Sequence, residues 1–92
     1  MTNAELLTRV KNGMLISGTS FDDALTMHID EVKSYLANAG ISNETIESQK
    51  AVGIITRGVA DLFTNETPTL SNYFHERVVQ MVLAENGGES DV

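Results

Sequence analysis

Residues 20–40, SFDDALTMHIDEVKSYLANAG, decide the fold class. Phe21, Leu25, Ile29, Val32, Leu36 and Ala39 recur at spacings of three and four, which stacks them on one side of a helix. Ser20 stands where its hydroxyl could accept a hydrogen bond from the Asp23 N–H. Asp22 and Asp23 lie at the positive end of the helix dipole, and Gly40 supplies a left-handed stop. The stretch predicts a long amphipathic helix over 20–39, which has to bury its stripe against neighbouring elements.

Towards the N-terminus, Thr2 and Glu5 stand three apart ahead of Leu6, Leu7 and Val10, a capping-box arrangement that opens a helix over 3–13 ending near Gly13. Residues 14–19, MLISGT, form a connector, the first part of which reads as briefly extended. Beyond Gly40, Ser42 or Asn43 can cap a third helix, 43–64, with Val52, Ile55, Val59, Leu62 and Phe63 on its main face. Gly53 and Gly58 fall inside it, each costing about 1 kcal/mol relative to alanine, so they either admit a close neighbour or mark a bend. Residues 64–69, TNETPT, are a polar loop around the only proline, and Ser71 caps a fourth helix, 71–85. The remainder, 86–92, is glycine-rich and acidic and reads as a disordered tail. The expected architecture is all-α, a small bundle of four helices in a single domain over 1–85.

Ninety-two residues support only a modest core, so a lone subunit would be marginally stable and partner subunits could add much of its stability. Thirteen acidic against six basic residues give a net charge of -7, and Arg9, Lys11, Lys33, Lys50, Arg57 and Arg77 are scattered along the chain. A concentrated cationic patch is what grips phosphate, so the pattern disfavours nucleic-acid binding and docking on anionic membranes. There is no cysteine, which excludes disulfides and thiolate metal sites. Neither a basic leader with an apolar stretch nor a run of roughly 18 apolar residues is present, and a soluble, cytoplasmically made protein is expected.

The last helix carries more apolar surface than one core can take. Leu70, Phe74, Val78 and Met81 share a face, yet Val79 and Leu83 point nearly the opposite way, at a spacing of four. A helix greasy on two sides has two partners, and burying this pair would remove on the order of 3 to 5 kcal/mol of exposed-surface penalty. Ile54 repeats the theme on the third helix, among Lys50, Arg57 and Asp61 on what should be its wet face. Met27 does so on the second, where a singly exposed apolar side chain is ordinary.

Catalytic and cofactor signals are weak throughout. His28 and Glu31 have a spacing that can place two metal ligands together, but His28 lies within the apolar stripe, where a hydrogen-bonded core or boundary histidine is the common outcome. His75 beside Glu76 reads as a solvated pair, and Asp22 with Asp23 is explained by capping. No calcium loop, phosphate-cradling glycine loop or nucleophile elbow occurs, and Tyr35, Tyr73 and the phenylalanines match core spacings. The chain reads as a non-enzyme without cofactor, metal or catalytic residues.

The order of parts resembles a family. LLTRVKNGMLIS, FDDALTMHIDEVKSYLANAGI, AVGIITRGVADLF with Asp61 near its end, a TNET-type loop and SNYFHERVVQMVL look like the head-tail connector proteins of long-tailed bacteriophages, also called adaptor or head-completion proteins, over about residues 4–84. The resemblance implies an α-helical subunit that oligomerises into a ring in the virion neck, joining the portal to tail-completion proteins, with DNA only passing through and not specifically bound. By position it implies Ile54, Arg57, Val79 and Leu83 as interface residues, with the connector loops and tail reaching adjacent rings and synthesis in the host bacterial cytoplasm. The negative charge agrees with this, since a lumen through which DNA slides should not grip phosphate. The alternatives are a small acidic regulatory module that binds one protein partner between the third and fourth helices and, remotely, a helical metalloenzyme built on His28 and Glu31.

Overall fold

Thr2 opens the first helix, α1 (Asn3–Gly13), through the capping box anticipated from Glu5: the Glu5 N–H donates to the Thr2 hydroxyl at 3.1 Å, and the Thr2 N–H donates to Glu5 Oε1 at 2.8 Å. Four more helices follow in this computed structural model, which describes residues 1–64 and 69–90, with side chains through Glu85. They are α2 (Asp22–Asn38), α3 (Asn43–Ile46), α4 (Val52–Thr64), preceded by a 3-10 turn over Gln49–Ala51, and α5 (Asn72–Ser90). The protein is all-α, and no strand occurs among the described residues.

The decisive stretch forms α2 with its stripe buried as read: Leu25, Ile29, Val32 and Leu36 are inside. Its stop is a Schellman motif. Gly40, at φ +104°, donates its N–H to Ala37, and the Ile41 N–H reaches back to the Leu36 carbonyl. Its start differs from expectation. The helix begins after Phe21, and Ser20 makes no cap; Asp22 is engaged instead by Lys11 of α1, 2.7 Å away, which also donates to the Gly18 carbonyl. A tertiary ion pair has replaced the local cap, and Phe21 stays half exposed against Phe63.

The expected third helix over 43–64 is broken into α3, the 3-10 turn and α4. The Ser48 hydroxyl donates to the Thr45 carbonyl at 2.7 Å and accepts from the Lys50 N–H at 3.2 Å, offering the backbone a local alternative to helix. The break lets Ile41, Ile46 and Ala51 turn into the core together. Gly53 consequently sits in the first turn of α4 with open space around it. Gly58 marks a close approach: a Cβ there would lie 2.6 Å from Phe74 Cε1 and 3.0 Å from Val32 Cγ2.

α4 packs against α1, α2 and α5, so it is the hub of the bundle. Ile54, Ile55, Val59 and Leu62 are all buried along it, together with Asp61. The connector over 14–19 turns at Met14 and Leu15 and bends at Gly18 and Thr19, and it forms no strand. Ser71 caps α5 as read, accepting from the Phe74 N–H at 3.1 Å, and the helix runs on to Ser90, past the expected end near 85. Residues 65–68 of the TNETPT loop and 91–92 of the tail lie outside the described residues.

Candidate functional site

The four residues singled out from sequence do not form one surface. Ile54 is 2% exposed and belongs to the core. Its expected place on a wet face is corrected because three helices, not one, surround α4. Val79 and Leu83 are 56% and 63% exposed on the outer flank of α5. Arg57 is half exposed at the junction of α4 and α5, on a different flank.

The first flank is apolar. Val79 and Leu83 border a groove of about 330 Å3 between α2 and α5, lined also by Tyr35, Ala39, His75 and Val82. The Tyr35 hydroxyl and His75 Nδ1 are 2.8 Å apart across it, so His75 pairs with α2 where a solvated pair with Glu76 was expected. At the far end Glu85 ties α5 to the α2–α3 corner: the Ser42 N–H meets its two carboxylate oxygens at 3.1 and 3.0 Å. Hydrogen bonds from the Thr45 hydroxyl and the Ser42 N–H hold the Glu85 carboxyl below its ordinary value.

The second flank is aromatic and cationic. Tyr73, expected in the core, is 52% exposed. The Arg57 guanidinium lies 5.5 Å and that of Arg77 6.0 Å from its ring centroid, and Arg77 Nη1 donates to the Tyr73 hydroxyl at 3.1 Å. Asp61 organises the junction. One of its oxygens accepts the Ser71 N–H at 3.0 Å, and the other lies 3.5 Å from Arg57 Nε. The four-residue spacings Arg57–Asp61 and Tyr73–Arg77 are readable in sequence, but their meeting across two helices is not.

A third apolar feature escaped the sequence entirely. α1 ends in a Schellman motif whose left-handed position is filled not by glycine but by Leu15, at φ +60°, leaving its side chain 93% exposed. His28 is half buried against the Phe63 ring, and its buried Nδ1 has no partner, unlike the hydrogen-bonded histidine expected there. Among the described residues no three His, Cys, Asp or Glu side chains converge as a metal site, and no helix is long and apolar enough to cross a membrane.

The described residues thus form a helical body with one apolar flank and one aromatic, cationic flank at its surface. The chain belongs to the phage connector protein family, which it matches over residues 6–81. It is accordingly a structural connector of bacteriophage that assembles with other phage proteins. No curated protein and no solved structure matches it.

Proposed function

We propose that this protein is a head-tail connector subunit whose copies oligomerise into a ring in the virion neck, made in the host cytoplasm, between the portal and the tail-completion proteins, with DNA passing through the lumen. The observation that carries the reading is the exposed pair Val79 and Leu83 beside an apolar groove, in a chain of this family. Burying both side chains against a neighbour is worth about 3 kcal/mol, enough to matter to a subunit of this size. The surface of net charge -7 suits a passage from which the duplex must not be held back.

Native mass spectrometry and co-sedimentation with portal-bearing heads test it. The wild-type chain should form a multimer or join the heads, and the Val79→Asp/Leu83→Asp protein should remain a helical monomer that does neither. A wild-type chain that stays monomeric and ignores portal particles would contradict the proposal. A second reading, a small acidic regulatory module, draws on the groove that Thr56, Ala60 and Tyr73 line between α4 and α5. A monomer that captures one partner unrelated to the virion would favour it.

A further inference from the structure

The Arg57–Tyr73–Arg77 flank gathers positive charge on an acidic protein. Of the six basic residues, Lys11 and Lys33 are closed into ion pairs with Asp22 and Glu47 and are only 16% and 15% exposed. Among the described residues Arg57 keeps one carboxylate neighbour, Asp61, which is itself buried and shared with the Ser71 N–H, so the Arg57–Tyr73–Arg77 cluster carries net positive charge at the surface. Beside it lies a groove of about 420 Å3 lined by Met14, Thr56 and Ala60.

The complement of this patch is on α2. Asp23, Asp30 and Glu31 surround Met27 on the side of the helix opposite Leu25, Ile29, Val32 and Leu36. All four are exposed, Met27 by 64%, and none of the three carboxylates is ion-paired among the described residues. The two features cannot meet within one chain. Val32 of the buried stripe rests at Gly58 of α4, so the acidic face of α2 looks away from the helix that carries Arg57.

We infer that the outer face of α2 in one copy docks on the Arg57–Tyr73–Arg77 patch of the next. Met27 enters the groove beside the Tyr73 ring, and Asp30 and Glu31 face the two guanidiniums. Charge complementarity selects a second copy as the occupant: the chain presents both halves of the contact on separate faces, and like halves repel. Because the halves differ, each added copy leaves one patch and one strip unfilled, so the contact propagates until rotation closes it. The inference rests on the self-assembly reading above and adds to it the register between neighbours.

A chain without cysteine allows a direct test. Met27→Cys and Ala60→Cys proteins are mixed under mild oxidation at low ionic strength, where surface charge is least screened. The disulfide between positions 27 and 60 should exceed either self-linked product by about tenfold, and Arg57→Gln/Arg77→Glu in the Ala60→Cys protein should reduce it by a similar factor. Adding Asp30→Lys/Glu31→Lys to the Met27→Cys protein should then restore it, which a misfolded variant could not do. Self-linked products in equal yield, or a yield indifferent to the arginine changes, would overturn the pairing. So would patch variants that still self-associate but no longer enter particles, since the patch would then serve another phage protein. Assembly that survives these changes yet fails with Val79→Asp/Leu83→Asp sinks the pairing alone; a wild-type chain that neither cross-links nor joins particles sinks the connector reading with it.

Discussion

α4 and α5 each carry apolar residues on more than one side, yet the structure treats them oppositely. On α4 the second side is covered and Ile54 is 2% exposed; on α5 it is open, with Val79 at 56% and Leu83 at 63%. The difference lies in position. α4 is enclosed by α1, α2 and α5, whereas α5 lies at the margin and buries mainly Phe74 and Val78. A sequence states how much apolar surface a helix offers, and the packing order of the helices decides which part neighbours within the chain consume.

The comparison is broken most decisively by truncation. Ile54→Ala should cost about 2 to 4 kcal/mol in denaturant unfolding of the free protein, and Val79→Ala less than about 0.5 kcal/mol. Equal losses would mean that the two helices are not packed as described. Gly58→Ala drives a methyl into Phe74 and Val32 and should cost about 1 to 3 kcal/mol. Gly53→Ala, in open helix, should be neutral or stabilise by up to about 1 kcal/mol. At the α1–α2 turn, Leu15→Gly should raise stability by up to about 1 kcal/mol, since it relieves the left-handed backbone and loses no buried area; thermal unfolding would read the shift.

The smallest effect is electrostatic and lies at the end of α5. Glu85 has a folded-state pKa below its ordinary 4.5, so the folded chain binds fewer protons there than the unfolded one. Its contribution is therefore present above pH 4.5 and is lost as pH falls through the folded value. Glu85→Gln should slightly lower stability above pH 4.5, neutral pH included, and converge with the wild type as pH falls below the folded value, which flattens the profile in the acidic range.

The helical class and the register of α2 were legible because its apolar stripe is unbroken and Gly40 stops the helix as its sequence position suggests. The missed features all depend on contacts between elements or on competition within the backbone. Lys11 takes Asp22 and displaces Ser20 as the organiser of the α2 start. Ser48 breaks the third predicted helix with bonds too local for periodicity to register. Ile54 looked wet because Lys50, Arg57 and Asp61 surround it in sequence, yet Asp61 is itself buried as the brace between α4 and α5. Of the interface residues read by position, Val79 and Leu83 lie at the surface because the α5 stripe was read correctly. The Arg57 flank emerged only when Tyr73 and Arg77 came to it from another helix.

The central claim is that the open side of α5 is reserved for other subunits. A cryo-EM reconstruction of the assembled phage neck containing this chain tests it most directly. Val79 and Leu83 should be enclosed by an adjacent protein while Ile54 stays inside its own bundle. Finding both α5 side chains in solvent throughout the assembled neck would contradict the account.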